Sequence, residues 1–324
     1  MTPAYIATVQ LLLDIAPLVF ESPCFAMKGG TALNLFVQDM PRLSVDIDVV
    51  FTDHTLPRDK ALAAIGHELT EGKARVERLG YAAEVRKNKN GDEAKMYVIS
   101  ESAQVKVEVN FVFRGTVLPV ASRSLTPATQ ELFNLDVELP LLAVPELYGS
   151  KLVAALDRQH PRDIYDVQNM FEKFGRIPAN FIDCFVAYLA GHNRPVHEVL
   201  FAQPQPLQPA FDNEFYGMTR EEVSIESLEA TRMKLFDGLP RSLSKAHRDF
   251  LLSIVRAEPD WTLMPFRHLQ ELPGIRWKLM NLEKLRSKRP DAFALQHDEL
   301  VRRFAQLAFE VPTTTGEAAS NIRT

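Results

Sequence analysis

The chain has 324 residues, a net charge of −5, 46% hydrophobic residues and 24% charged residues, as expected of a folded globular protein long enough for two domains. The negative charge argues against a generally basic nucleic-acid binder, so any contact with RNA requires a local basic patch. We expect a cytoplasmic protein without membrane contact, because no apolar run nears the roughly 20 residues of a membrane span, signal-peptide features are missing, and there are only two cysteines.

Hydrophobic periodicity predicts most of the structure before residue 114. The predicted helices are Pro3–Phe20, Thr31–Gln38 and Pro57–Leu79. The predicted strands are Cys24–Met27, the segment around Asp46 and Asp48, Tyr81–Lys87, Lys95–Ser100 and Gln104–Phe113. Asn90-Gly91 is a turn dipeptide that favours a hairpin between two of these strands.

Two carboxylates share one face of the second strand. Val45, Ile47 and Val49 alternate with Asp46 and Asp48, which is the period-two pattern of a strand with one buried face. The two Asp residues therefore leave the same side, roughly 6–7 Å apart at Cα. At this spacing they can converge on one hard cation such as Mg²⁺. A solvated edge strand would show the same pattern.

A glycine turn precedes these carboxylates. Gly29-Gly30 follows a short strand and opens a helix at Thr31. A helix N-terminus with a nearby hydroxyl suits an anionic phosphate chain, and glycine permits close approach of the backbone. An ordinary tight turn is the alternative. Lys28 could help to hold phosphate or could simply end the strand in solvent.

Glu108 lies on the polar face of the strand Gln104–Phe113. If this strand neighbours the strand of Asp46 and Asp48, the three carboxylates can bind metal and deprotonate an attacking hydroxyl. The alternative is a surface Glu that pairs with Lys106. From the residues alone, this alternative is slightly favoured.

Lys151 falls on or beside the apolar stripe of a predicted helix that begins near Pro145. A cation there needs an anionic partner. Asp163 and Asp166 share a face of the next helix and could supply it, whereas a bound triphosphate would be another partner. The spacing leaves both alternatives open.

From about Leu141 to about Phe309 the sequence is predicted to be helical, with a proline-rich loop at Gln203–Pro209. The tail 312–324 is predicted to be disordered. Positive charge is concentrated late in the chain, and it indicates either a solvated surface or a phosphate-binding patch. Its members are Arg276, Lys278, Lys284, Arg286, Lys288, Arg289, Arg302 and Arg303.

Two motifs carry a family resemblance. Lys28-Gly29-Gly30-Thr31-Ala32-Leu33 and Arg42-Leu43-Ser44-Val45-Asp46-Ile47-Asp48 closely resemble the AbiEii/AbiGii-type nucleotidyltransferases, which are toxins of bacterial toxin–antitoxin systems in the DNA polymerase β-like superfamily. That superfamily has Gly-Ser before its Asp-x-Asp, and Gly30-Thr31 keeps the hydroxyl. The segment from Lys151 to Asp166 is also similar. The resemblance covers most of the chain, although only the N-terminal motifs are chemically specific.

The resemblance implies an α+β fold, with a polymerase β-like lobe containing a mixed sheet at residues 1–140 and a helical lobe at 141–311. It implies Mg²⁺-dependent transfer of a nucleotidyl group from an NTP, with a tRNA 3′ end as the favoured acceptor. It further implies growth arrest in an abortive-infection type of system with a nearby antitoxin gene.

The implied catalytic residues are Asp46, Asp48, Glu108 and Lys151, and the first three are the implied metal ligands. The implied nucleotide-binding residues are Lys28, Gly29, Gly30, Thr31, Ser44, Lys151, Asp163 and Asp166. Two other functions stay open. One is a transferase that modifies a small molecule or a protein, and the other is an inactive nucleotide-binding or partner-binding module, against which the intact carboxylates argue.

Overall fold

Seven strands form one mixed sheet in the protein, which a computed structural model describes over residues 1–87 and 93–309. The strands are β1 (Phe25–Lys28), β2 (Asp46–Phe51), β3 (Ala82–Lys87), β4 (Glu93–Ile99), β5 (Gln104–Asn110), β6 (Ala121–Ser124) and β7 (Glu138–Leu141). Their order across the sheet is β3-β4-β5-β2-β1-β7-β6. The pairs β2–β5 and β1–β7 are parallel, and the other neighbours are antiparallel.

Helices precede, interrupt and follow this sheet. They are α1 (Pro3–Val19), α2 (Gly29–Phe36), α3 (Arg58–Arg78), α4 (Pro127–Phe133), α5 (Val144–Asp157), α6 (Pro161–Phe174), α7 (Ala179–Ala190), α8 (Val196–Leu200), α9 (Gln208–Glu214), α10 (Ile225–Ser242), α11 (Lys245–Val255), α12 (Pro273–Lys288) and α13 (Pro290–Phe309). Two short 3₁₀ helices lie at Trp261–Leu263 and Leu269–Glu271. Several helices begin with proline in the first turn, where the missing N–H costs no hydrogen bond.

The centre of the sheet follows directly from the sequence pattern. Val105, Val107 and Val109 of β5 are buried and alternate with half-buried polar residues. The parallel pairing of β2 with β5 sets Asp48 opposite Glu108. The two strands predicted to carry the carboxylates are therefore neighbours.

Most predicted elements are confirmed, including the first three helices and the strand at Gln104. β6, α4 and β7 were not predicted, because they are short and β6 is largely exposed, without an apolar alternation. The expected turn at Asn90-Gly91 and the expected disordered tail 312–324 lie outside the described residues.

The last strand ends at Leu141, and the described elements after it are helical. One apolar core runs through both halves of the chain, from Val9 to Phe304. The lobe boundary at residue 140 stays a prediction. None of the helices within residues 1–87 and 93–309 has the length and apolar character needed to cross a membrane.

Candidate active site

Four charged side chains stand side by side across the middle of the sheet. Lys28 of β1 is opposite Asp48 of β2, Asp48 is opposite Glu108 of β5, and Glu108 is opposite Lys95 of β4. Residues that are opposite in register project from the same face of a sheet. We call these four residues the sheet row. Asp46, two residues before Asp48 in β2, lies on the same face of the sheet and is opposite Lys106.

Lysine ammonium groups surround the carboxylates of this face. Lys106 Nζ lies 3.0 Å from Glu108 Oε2 and 3.8 Å from Asp46 Oδ1. Lys95 Nζ lies 3.1 Å from Glu108 Oε1. About a third of each of these side chains is exposed, so water screens the ion pairs. The strand of Glu108 is thus the neighbour of the strand of Asp48, as the metal-site hypothesis requires, and Glu108 also pairs with Lys106, as the alternative predicts.

The carboxylates of the sheet row differ in their proton affinity. Burial raises the pKa of Asp48, the charge of Lys28 opposes that shift, and the neighbouring charge of Asp46 reinforces it. Burial also raises the pKa of Glu108, but hydrogen bonds from Lys106 and Lys95 outweigh it and leave the pKa below its ordinary value. Glu108 is therefore ionised at neutral pH, and its lowered pKa makes it a weaker base than an ordinary glutamate.

The glycine turn is packed directly against this acidic face. Gly29 has φ +77°, and a Cβ at this position would overlap the Asp48 carboxylate. A Cβ on Gly30 would come within 2.8 Å of an Arg42 guanidinium nitrogen and 3.0 Å of Ser44 Oγ. Glycine at position 29 lets the first turn of α2 approach the Asp48 carboxylate, and glycine at position 30 leaves room for the side chains of Arg42 and Ser44. That turn carries N–H groups without intrahelical partners.

Thr31 connects α2 to β2. Its hydroxyl donates to the backbone carbonyl of Asp46 and lies 3.0 Å from Ser44 Oγ, and the residue is 1% exposed. The hydroxyl that matches the serine of the superfamily motif thus holds the strand of Asp46 in place.

A second group of charges lies between the helices. Lys151 of α5 contacts two carboxylates of α6, at 2.9 Å to Asp163 and 2.8 Å to Asp166. Arg42 binds Asp166 through two nitrogens, at 2.8 and 2.7 Å. All four side chains are at most 6% exposed. We call Arg42, Lys151, Asp163 and Asp166 the interhelical cluster.

Charge compensation inside the interhelical cluster overcomes the cost of burial. Burial favours neutral carboxyl groups, yet Lys151 and Arg158 lower the pKa of Asp163, while Arg42 and Lys151 lower that of Asp166. Burial also lowers the pKa of Lys151, but the two carboxylates outweigh it and raise the pKa. An internal carboxylate partner for Lys151, one of the two alternatives predicted, is confirmed.

Both groups adjoin one cleft of about 950 Å³ between the sheet and the helices. The predicted site residues that line it are Lys28, Gly29, Gly30, Ser44, Asp46, Asp48, Glu108, Lys151 and Asp163. Thr31 and Asp166 are buried behind this lining. The helical half contributes further residues, among them Tyr188, His192, Trp277, Lys278 and Asn281.

Sequence reasoning missed several of these residues. Arg42 belongs to the recognised motif, but its position in a loop gives no sign that the guanidinium is buried against Asp166. Lys95 was assigned only to a strand. Trp277 and Lys278 are too distant in sequence from β2 for any local pattern to place them in its cleft.

The late basic residues do not form one continuous free patch. Arg302 and Arg303 are ion-paired with Glu299, and Arg286 lies 3.5 Å from Glu258. Lys278 is buried. Of the two alternatives, a solvated surface fits Arg286, Arg302 and Arg303, whereas Lys278 lines the cleft.

The acidic face suits a hard divalent cation, because all its candidate ligands are carboxylate oxygens. Among the described residues, no three His, Cys, Asp or Glu side chains form a ready-made ligand set. Lys95 and Lys106 occupy the oxygens of Glu108. Asp46 and Asp48 therefore have the chemistry to hold such a cation.

Comparisons with known proteins show the family and the fold of the chain. Residues 10–281 match the family model described as "Nucleotidyl transferase AbiEii toxin, Type IV TA system". The chain is structurally similar to MenT4, a nucleotidyltransferase toxin from Mycobacterium tuberculosis H37Rv, with a TM-score of 0.58 and 19% identity over 87% of this chain and 94% of that one. This likeness confirms the predicted α+β fold with its mixed sheet. No curated protein gives a significant sequence match.

Proposed function

This chain belongs to the AbiEii family of nucleotidyltransferase toxins of type IV toxin–antitoxin systems, and we propose that it transfers a nucleotidyl group from an NTP to the 3′ end of a tRNA, with Mg²⁺ held by Asp46 and Asp48. The observation that supports this reaction is the sheet row, in which Asp48 stands between Lys28 and Glu108 beside the Gly29-Gly30 turn. The cleft of about 950 Å³ is as large as the larger small-molecule sites of proteins.

The triphosphate would lie on the first turn of α2. There the N–H groups of Gly29 and Gly30 face the phosphates and Lys28 adds positive charge. Lys28 needs such an anion, because burial lowers its pKa and Asp48 only partly compensates. Mg²⁺ at Asp46 and Asp48 would supply Lewis-acid stabilisation of the charge that develops on the transferred phosphate.

The acceptor hydroxyl would attack the α-phosphorus. The new bond joins this oxygen to phosphorus, the bond to the β-phosphate breaks, and pyrophosphate leaves. The hydroxyl proton would pass to Glu108, which is ionised at neutral pH. Glu108 is suited to this role by its position next to Asp48.

Lys151 would add positive charge at the phosphate end. Lys151 is among the residues that line the cleft, and its ammonium is paired with Asp163 and Asp166. Lys151, Arg42 and Arg158 are three cations facing two carboxylates. The cations outnumber the carboxylates by one, and this net positive charge is available to a phosphate. Asp163 and Asp166 would position Lys151.

A labelling experiment tests this proposal. The protein is incubated with each α-labelled NTP, Mg²⁺ and total tRNA. Label should enter the tRNA band, and it should be lost when periodate first destroys the 3′ diol of the tRNA. Asp48→Asn should transfer no label. Label found instead on protein or on a small molecule would support one of the rival transferases, and no transfer with any NTP would support the inactive binding module.

A growth experiment tests the cellular role. We propose that the toxin acts in the cytoplasm and that a protein encoded nearby is its antitoxin. Overproduction of the chain should arrest bacterial growth, and the adjacent gene should relieve the arrest. The double variant Asp46→Ala, Asp48→Ala should be harmless. Equal growth inhibition by the double variant would mean that toxicity does not depend on transfer.

A further inference from the structure

Lys278 of α12 is a buried cation. It is 5% exposed and lines the catalytic cleft, where its ammonium donates one hydrogen bond, 2.7 Å long, to the backbone carbonyl of Arg194. No carboxylate lies within 4.0 Å of it among the described residues. Lys151, which lines the same cleft, has two such partners. Without a ligand, Lys278 therefore bears most of the cost of a buried charge.

The proton affinity of Lys278 agrees with this position. Burial lowers its pKa to about 8, and the charge of Glu198 offsets this only in part. If Lys278 only filled space in the core, its positive charge would destabilise the fold and bring no benefit. A negatively charged ligand in the cleft would restore the compensation that the protein does not provide.

Two neighbours on α12 complete a nucleotide-binding surface. Trp277 lines the cleft and is 50% exposed. An indole ring that is half exposed gains little from packing, so packing alone does not explain its position. Asn281 lies one turn further along the helix and also lines the cleft. An ammonium, an aromatic ring and an amide are together suited to the phosphate, the base and the base edge of one nucleotide.

We propose that Lys278, Trp277 and Asn281 form a subsite for the terminal nucleotide of the RNA acceptor. Lys278 binds a phosphate of the strand, Trp277 stacks on a base, and Asn281 hydrogen-bonds to that base. The acceptor is favoured over the NTP because Lys28, the Gly29-Gly30 turn and Lys151 already surround the place of the triphosphate. This inference rests on the proposed function, since it requires an RNA acceptor.

Binding measurements separate the subsite from the reaction. In the Asp48→Asn background, the affinity for tRNA is measured by filter binding and the affinity for NTP by calorimetry. Lys278→Met and Trp277→Ala should each weaken tRNA binding by about tenfold, the typical effect of losing one base-stacking or charged contact, and leave NTP affinity within about twofold. Trp277→Phe should recover part of the loss. The matched controls Lys245→Met and Leu295→Ala, both exposed on the helical half, should have no effect.

The outcomes distinguish this inference from the proposed function. If the wild-type protein labels tRNA but Lys278→Met and Trp277→Ala bind tRNA normally, the subsite is wrong and the function stands. If the two variants lose NTP affinity instead, the surface belongs to the NTP site and the acceptor assignment is overturned. If the wild-type protein labels no RNA, the proposed function itself fails. Trp277→Ala keeps the test valid even if Lys278→Met folds poorly, because Trp277 is half exposed.

Discussion

The sheet row and the interhelical cluster each contain two acids and two bases, yet their environments differ. The Lys95–Glu108 pair of the sheet row is more than a third exposed on both sides. The side chains of the interhelical cluster are at most 6% exposed and each is bound at 2.7–2.9 Å. Exposed pairs contribute about 0–1 kcal/mol, whereas removing one partner of a buried pair costs about 3–5 kcal/mol.

This difference separates catalysis from architecture. The ion pairs of the sheet row are weak enough to rearrange when a substrate or a cation approaches. The interhelical cluster ties the segment before β2 to α5 and α6, since Asp166 also accepts a hydrogen bond from Asn34 of α2. The position of the first turn of α2 thus depends on the buried charges of this cluster, whereas the Lys95–Glu108 pair beside the proposed catalytic carboxylates is partly exposed.

The largest expected effect is on activity in the sheet row. Asp48→Asn should lower the transfer rate by about 10²–10³-fold or more, because it removes one of the two carboxylates proposed to hold Mg²⁺. The free energy of unfolding should change by less than about 1 kcal/mol, since relief from burial and from Asp46 offsets the loss of the Lys28 contact. Labelled transfer and urea unfolding measure the two quantities.

Asp59→Asn is the matched control for this variant, because Asp59 is exposed on α3 and does not line the cleft. It should retain wild-type activity. If Asp48→Asn instead lost much of its stability, Asp48 would stabilise the fold as the interhelical cluster does. The sheet row and the interhelical cluster would then not differ in role.

The second-largest expected effect is a loss of folding stability when the interhelical cluster is changed. Asp166→Asn should lower the free energy of unfolding by about 3–5 kcal/mol, because Arg42 and Lys151 both lose a buried partner. Glu108→Gln, at a more exposed site, should cost less than about 1 kcal/mol. Urea unfolding of both variants checks this difference, and similar losses for the two would mean that exposure does not separate the groups.

Lys151→Met is expected to have an intermediate effect, because Lys151 belongs to the interhelical cluster but also lines the cleft. Stability should fall less than in Asp166→Asn, since Arg42 and Arg158 still compensate the two carboxylates. NTP affinity should fall by about tenfold, as expected for the loss of one charged contact. Calorimetry with NTP decides whether Lys151 binds phosphate or only stabilises the fold. Reduced stability with unchanged NTP affinity would make Lys151 purely structural.

The sequence predicts the sheet row better than the interhelical cluster, for a physical reason. Alternation in β2 and β5 places Asp46, Asp48 and Glu108 on polar faces, and only the pairing of the two strands had to be assumed. The burial of Arg42 depends instead on a helix more than a hundred residues later in the chain, and no local pattern records such a contact. The same holds for Trp277 and Lys278, which reach the cleft through tertiary packing alone.

The smallest expected effect concerns the pH dependence of the sheet row. Lys106 and Lys95 hold the pKa of Glu108 below its ordinary value despite partial burial, so Glu108 keeps its negative charge down to acidic pH. In Lys106→Met one of these hydrogen bonds and its charge are lost, and the pKa of Glu108 should rise. If ionised Glu108 accepts the proton of the acceptor, the acid limb of the pH profile of kcat/KM should shift to higher pH, with stability changed by less than about 1 kcal/mol.

Lys60→Met, on the exposed surface of α3, should leave the profile unchanged. An acid limb that stays in place in Lys106→Met would show that Glu108 is not the proton acceptor, and the weak ion pairs of the sheet row would then serve only to balance its charge. If the acid limb moves to higher pH in Lys106→Met but not in Lys60→Met, Lys106 lowers the pH at which Glu108 is protonated. The partly exposed lysine would then extend catalysis to lower pH, whereas the buried Lys151 and Arg42 stabilise the fold.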